Sequence, residues 1–506
     1  MILSRYTIKH LSSTDVEIPS DEIFSLPEKV LQFGTGVLLR GLPDYFIDKA
    51  NRRNIFNGRI VMVKSTRQGD TSAFDKQDCL YTTCVRGIED GEVVEKNIIN
   101  SSISRVLSAQ EHWEQILECA YDSNMQVIIS NTTEVGIALV DDDIRRHPPV
   151  SFPGKLLAFL YERFKAFNGS ASSGMVIVPT ELIPDNGKLL ESIVLELAHL
   201  NGLEGQFIEW LEQSNHFCSS LVDRIVPGKP APAMQASLEN KLGYSDELLI
   251  MTEAYTLWAI AGDAHVRDIL SFAQADSGVI IEENIDQYRE LKLRLLNATH
   301  TLSSGVAVLN GCATVKDAMD DEAMVHFIKI LMHEEIAPAI PYEIAPELKS
   351  SFGNKVLDRF RNPNIEHHWM SITVQYSSKM RMRCLPLLLS HYRQTSEVPM
   401  SFALGFAAFL RFMKAVTNTG TEYQGEINGK QYTIKDDQAK YFFEMWKKFS
   451  GVSLVNEVLG DIDVWNEDLT QLPGFADAVA EQLQVLEADK IQDAIKFAVV
   501  QKVLPA

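Results

Sequence analysis

The strongest constraint on how this chain can fold is a short stretch near its start. Val30-Leu-Gln-Phe33 is an apolar run that breaks into Gly34-Thr-Gly36, and the sequence from Val37 to Ala50 then reads as a helix. Strand, glycine turn and helix in that order form the opening unit of a parallel α/β sheet. In that setting a GxG acquires meaning: glycines let a backbone approach a pyrophosphate, and a helix N-terminus offers N–H groups and a positive dipole end. Leu39 occupies the place of the third glycine of GxGxxG, so an ordinary tight turn is the competing reading.

Further apolar runs support the sheet. Arg59–Lys64 reads as the second strand, and Met125–Ser130 and Met175–Pro179 as buried strands of parallel type. Asp78–Arg86 reads as an edge strand turning at Glu89-Asp-Gly91, and residues 1–28 as a lead-in with one or two short strands. Asn131-Thr-Thr-Glu134-Val-Gly136 follows the third run, at a carboxyl strand end where such sheets bind ligands; loop capping is the alternative. After the second run the first acid is Asp70, so Lys64 and Arg67 either accept a 2′-phosphate or are solvated surface cations. Pro227, Gly228, Pro230 and Pro232 mark a loop. From residue 238 the reading is mainly helical, with an acidic crossover at 274–286. The expected fold is α/β: a dinucleotide-binding domain at 1–282, then a mainly α-helical substrate-binding domain at 283–506.

Composition excludes several classes. The 506 residues are 45% hydrophobic and 23% charged, enough for large cores without staples. A net charge of −21 repels nucleic acid and anionic membrane, so neither is expected as a partner, and an anionic substrate needs a local cluster of cations. The cysteines, Cys79, Cys84, Cys119, Cys218, Cys312 and Cys384, form no CxxC and are irregularly spaced, which suits reduced thiols in a cytoplasmic protein and neither a disulfide framework nor a zinc site. The N-terminus lacks an apolar signal region, and no apolar run is long enough to span a membrane. GxSxG, HExxH and Walker A patterns are missing.

The chemistry concentrates in Lys292-Leu-Arg-Leu-Leu-Asn297-Ala-Thr-His300. At about 100° per residue Lys292, Asn297 and His300 lie within roughly 140° of one another on one helix face. Leu291, Leu295, Ala298 and Leu302 make an apolar face opposite, so a buried helix is expected. A buried Lys, Asn and His are either satisfied by neighbouring backbone or do chemistry: the Lys as proton carrier, the Asn and His as donors to an oxygen that becomes an alkoxide. Hydride transfer between a nicotinamide and an alcohol carbon needs those roles. His367-His368 are adjacent and read as surface residues pointing different ways on a helix.

Taken together, these residues resemble the long-chain polyol dehydrogenase (mannitol dehydrogenase) family, whose Lys-x4-Asn-x2-His signature is matched by Lys292, Asn297 and His300. The likeness continues through Phe33-Gly-Thr-Gly36 with Arg40, Gln77–Thr82, Thr132–Gly136, Leu221–Pro227, Arg359-Phe-Arg361-Asn-Pro363 and Ser378-Lys379. Within the family, Lys379-Met-Arg381-Met-Arg383 and Asp468–Gly474 are most similar to the tagaturonate reductase (altronate oxidoreductase) branch. The resemblance implies a Rossmann-type N-terminal domain, a helical C-terminal domain, an active site in the cleft between them, NAD as cofactor and no metal. It implies Lys292, Asn297 and His300 as catalytic residues; Phe33, Gly34, Gly36, Arg40, Thr133 and Glu134 at the cofactor; and Asp223, Arg361, Lys379 and Arg381 at a hexuronate substrate. Polyol-specific members carry Cys-Asp-Asn where Thr180-Glu181-Leu182 stands, and an Arg and a His where Ser371 and Val374 stand, so the far end of the substrate site is rebuilt. Fructuronate reductase, a mannitol-type polyol dehydrogenase and a nucleotide-binding regulator are the alternatives.

Overall fold

A computed structural model describes residues 1–11, 14–66, 69–132 and 136–500. The chain divides into two units, Met1–Gly87 with Val93–Ile285, and Ile88–Glu92 with Asp286–Ala506.

The first unit is built on the strands β1 (Glu28–Phe33), β2 (Arg59–Lys64), β3 (Tyr81–Glu89), β4 (Glu92–Asn100), β5 (Ile103–Ser108), β6 (Val127–Ser130), β7 (Val176–Pro179), β8 (His216–Phe217), β9 (Ser220–Asp223), β10 (Ile250–Glu253), β11 (Leu257–Ala261) and β12 (Val279–Glu282). Six of them form an all-parallel sheet in the order β5-β2-β1-β6-β7-β8. The continuous apolar runs form its centre because both faces are covered. Leu31, Phe33, Val61, Val63 and Ile128 pack on one side, against the helices Phe152–Ala166 and Asn186–Leu200. Val30, Ile60, Val127, Ile129 and Val178 pack on the other, against Phe46 and Ile47 of the helix Pro43–Asn51. Strand order runs outward from β1 in one direction and from β6 in the other, so the chain reverses between these neighbours. Ligands of open α/β sheets bind outside the carboxyl ends of strands at such a switch point.

The structure corrects several details. The lead-in carries a short helix, Arg5–Ile8, and a 3₁₀ turn, Asp21–Ser25, and among its described residues the β structure is isolated bridges at Ile2 and Glu17. The helix after the glycine turn is two, Val37–Gly41 and Pro43–Asn51, broken at Leu42 because Pro43 can only begin a helix. β3 is the centre of a three-stranded sheet, β10-β3-β4, and not an edge. The region after residue 238 has strands as well as helices: β10, then β11 and β12, which with β9 form a third sheet.

The second unit is mainly helical. A rod runs through Asp286–Leu291, Lys292–Ala298 and Thr299–Leu309, and its last part crosses the helix Met400–Phe412 closely. Reciprocal glycines allow the approach: a Cβ at Gly305 would lie 2.9 Å from the Ala408 backbone, and one at Gly405 would lie 2.8 Å from Leu302 Cδ1's partner methyl, Cδ2. A small antiparallel sheet, β13 (Ala415–Asn418), β14 (Tyr423–Ile427) and β15 (Lys430–Thr433), was not evident in the sequence. The six cysteines are free. Among the described residues no helix is long and apolar enough to cross a membrane.

Candidate active site

In the first unit, Phe33, Ser130 and Pro179 stand in register at the carboxyl ends of β1, β6 and β7. The residues that follow form a rim. Gly34 has φ +135°, and an added Cβ would meet Leu39 Cδ1 at 2.8 Å and Asn131 O at 3.2 Å, so only glycine fits. Gly36 caps the helix Val37–Gly41 with φ −64°, and a Cβ there would meet nothing within 4 Å. The first glycine makes the turn and the second leaves open space in front of a helix start, which is the shape a pyrophosphate requires.

Asn131 donates to Thr180 O and Oγ1 at 3.2 and 3.0 Å, and Thr180 Oγ1 donates to Ser130 O at 2.7 Å. Glu181 is 3% exposed and accepts from Thr132 N at 2.7 Å and Ser130 Oγ at 3.2 Å. Burial raises its carboxyl pKa against those hydrogen bonds. Glu181 therefore fastens the loop after β6 to the end of β7, while Leu182 is 63% exposed. Thr133, Glu134 and Arg67 lie outside the described residues. Phe33 is buried with its ring against Phe152. Arg40 points inward: it donates to Leu248 O at 2.6 Å and lies near the rings of Phe74 and Tyr81. Asp223 ends β9 and is 9% exposed. Lys64 ends β2 and donates to Thr66 O.

In the second unit, Lys292–Ala298 is a π-helical turn, not an α-helical one. In an α-helix Lys292 and Asn297 would be about 140° apart. An i→i+5 turn of roughly 4.4 residues reduces that to about 50°, which puts the two residues on one face. Burial is also less uniform than the helix pattern suggested: Lys292 and Asn297 are partly exposed, and only His300 is buried. The hydroxyls of Thr301 and Ser304 donate to Asn297 O at 2.7 Å and His300 O at 2.6 Å, satisfying carbonyls around the irregular turn. The Asn297 side chain makes no hydrogen bond among the described residues.

His300 stacks on Phe360, centroids 4.3 Å apart and planes at 19°, and meets His367 and Trp369 edge-on at 5.1 and 5.9 Å. Its Nε2 is buried without a partner. Burial, then His367, Arg359 and Arg383, hold its pKa well below the ordinary imidazole value. Burial thus favours the neutral ring, which has one N–H to donate. His367 is half-buried against His300 in a segment outside any helix, which corrects its reading as a helical surface residue; His368 is exposed. Phe360 lies inside the Arg359–Pro363 motif but carries no sequence signal of its own, and His367 reads from the sequence only as a surface residue.

Other candidates divide. Arg361 pairs with Asp358 at 3.2 Å. Arg381 reaches Val464 O at 3.5 Å. Lys379 donates to Ile372 O at 2.8 Å, and its pKa is lowered by burial and by Arg383. The helix carrying Lys379 is fastened at its start by Asp436, which accepts from Ser377 N at 2.7 Å and Ser377 Oγ at 2.6 Å. Arg383, from the next turn, donates to Thr301 Oγ1 at 3.3 Å.

A glycine turn at a sheet's switch point and a helical unit bearing Lys292, Asn297 and His300 are the features that the resemblance to polyol dehydrogenases implies. Residues 28–271 match the mannitol dehydrogenase Rossmann domain and residues 284–487 the mannitol dehydrogenase C-terminal domain; the chain belongs to the mannitol dehydrogenase family. Full-length relatives are more particular. The altronate oxidoreductase of Halalkalibacterium halodurans is 36% identical, with 98% of this chain and 96% of the relative covered. That of Bacillus subtilis is 37% identical, covering 94% and 96%. In fold, the chain is similar to D-sorbitol dehydrogenase, with a TM-score of 0.75, 18% identity and 98% and 100% covered. It is also similar to Pseudomonas fluorescens mannitol 2-dehydrogenase in a ternary complex with NAD and D-mannitol, with a TM-score of 0.65, 19% identity and 98% and 99% covered.

Proposed function

We propose that this oxidoreductase is a tagaturonate reductase, interconverting tagaturonate and altronate with NAD(H). The observation that carries the substrate reading is the end-to-end match to relatives named altronate oxidoreductase. The site supplies the chemistry. Reducing a ketone to an alcohol needs a hydride at carbon and a proton at oxygen. Bound NADH supplies the hydride; Gly34 and Gly36 fit its pyrophosphate.

The remaining tasks fall to the second unit. Asn297 donates an amide N–H to the keto oxygen, and the neutral His300 donates a second hydrogen bond. Both are set to act on charge as it develops, in a partly water-excluded site. Lys292, brought alongside Asn297 by the π turn, gives the proton to that oxygen and takes it back when altronate is oxidised. No metal is needed for polarisation, because two neutral donors and an ammonium surround the oxygen. The reaction belongs to hexuronate breakdown in the cytoplasm.

The test is a panel of hexuronates, hexonates and hexitols, with NADH oxidation or formation followed by absorbance. Tagaturonate should have the highest kcat/KM. Preferred turnover of fructuronate, or of uncharged hexitols, would replace this substrate.

A further inference from the structure

We propose that Arg383, together with Lys379, seats the substrate's carboxylate, a role that rests on the hexuronate reading above. The first observation is position. Thr301 Oγ1 spends its proton on Asn297 O and accepts from Arg383 Nη1. Arg383 is thereby one hydroxyl away from the turn that carries Asn297, on the helix segment that carries His300. The second is an unmet polar group at the same place: His300, 8% exposed, leaves Nε2 without a partner.

The third observation is the state of the guanidinium. It has five N–H donors, and its bond to Thr301 is the one made among the described residues. It is half-buried, forms no ion pair among those residues, and is pushed below its ordinary pKa chiefly by burial. Arg383 in turn acts on its neighbours: Lys379 is lowered by burial and by Arg383, with Asp436 opposing, and His300 by burial with Arg383 among the further causes. A guanidinium with most of its donors unused beside a second cation, in a chain of net −21, suits an anion. The planar fork of an Arg can hold a carboxylate by two charge-assisted bonds. Arg361, by contrast, already faces Asp358.

The fourth observation is how firmly Arg383 is placed. Arg294, two residues beyond Lys292, donates to Met382 O at 3.2 Å and Arg383 O at 2.8 Å, with Glu290 behind it at 3.0 Å. The main chain at the proposed anion seat is tied directly to the turn bearing the proton carrier. A fixed spacing between the two ends of one substrate follows.

The experiment compares kcat/KM for tagaturonate with that for the neutral ketohexose bearing CH2OH in place of the carboxylate. In Arg383→Gln the ratio should fall by at least ~30-fold, and Arg383→Lys should restore most of it. Circular dichroism and thermal melting check that both variants fold. If the ratio is unchanged, or if Arg361→Gln or Arg381→Gln lowers it as much, Arg383 is not the seat. Should the wild-type enzyme prove inactive on tagaturonate, the substrate reading fails separately. The seat is then read by calorimetry with altronate and altritol. Loss of the preference for altronate in Arg383→Gln supports the seat. No preference in the wild type, or an undiminished one in the variant, overturns it.

Discussion

Gly34 and Gly36 are two residues apart, yet the structure predicts opposite consequences for replacing them with alanine. Gly34 has φ +135°, where an alanine stores about 1–3 kcal/mol of backbone strain. Its Cβ would also press on Leu39 Cδ1 at 2.8 Å and Asn131 O at 3.2 Å. The methyl of Leu39 can move; the Asn131 carbonyl is part of the adjoining strand exit and moves less easily. Gly34→Ala should therefore lose roughly 2–4 kcal/mol of stability. Gly36 has φ −64° and ψ 159°, values any residue adopts, and its Cβ would touch nothing. Reduced freedom of the unfolded chain favours Gly36→Ala by about 0.4–1 kcal/mol. Replacing glycine at a helix N-cap by alanine costs a comparable amount, so net stability should stay within ~1 kcal/mol. The added methyl occupies the space assigned to the pyrophosphate, and NADH should bind at least ~10-fold more weakly, a loss of about 1.4 kcal/mol. Urea unfolding and fluorescence titration with NADH read the two quantities separately. A Gly36→Ala protein that is stable and binds NADH normally would refute the placement of the cofactor. A Gly34→Ala protein as stable as wild type would refute the strain argument.

Lys292→Ala should keep the fold and NADH binding but lower kcat by at least ~10²-fold, the usual scale for a general acid–base group; near-normal turnover in a folded variant would remove Lys292 from that role. NADH should be preferred over NADPH in kcat/KM; a preference for NADPH would instead point to Lys64 and Arg67 holding a 2′-phosphate. His300, His333 and His367 are all held below the ordinary imidazole pKa, with burial the leading cause. The unfolded chain takes up protons as pH drops through about 6.5, while the folded chain does not. Stability present above that pH should therefore be lost as pH falls toward the folded values, more shallowly in His300→Gln. Stability measured by urea unfolding that is flat from pH 7 to 5.5 would show that these rings are not neutral in the folded protein.

Much of the fold was legible because its signals are local. β1, β6 and β7 are continuous apolar runs ending in glycine or polar residues, and burial on both faces explains why they do not alternate. The β3–β4 turn was legible in Glu89-Asp-Gly91, whose Asp90 and Gly91 take positive φ. Local signals failed where sheet position or partner decides. β3 is polar enough at its start to read as an edge, but β10, more than 160 residues later, covers that side. β11, Leu257-Trp-Ala-Ile-Ala, suits a helix or a strand equally; pairing with β9 and β12 settles it. His367 was misplaced because wheel geometry was applied to a segment that is not helical.

The active turn shows the same division at finer scale. Residue types and spacing make Lys292, Asn297 and His300 candidates, but a helical wheel spreads the first two about 140° apart, poor geometry for the proposal that both serve one oxygen. Nothing in Lys292-Leu-Arg-Leu-Leu-Asn297-Ala breaks an α-helix. The π turn is one of three in the second unit, with Leu331–Ile336 and Met380–Cys384, and both pack against it. An i→i+5 turn leaves carbonyls that an α-helix would use, so its cost must be met from elsewhere in the fold. Arg294 does so for the third turn, donating across 88 and 89 residues of sequence to Met382 O and Arg383 O. Thr301 does so for the first, and receives Arg383 in return. The two irregular turns therefore stabilise each other through an arginine on each. The irregular geometry of the turn bearing Lys292 and Asn297 is a property of that pairing, and one segment read by itself could not disclose it.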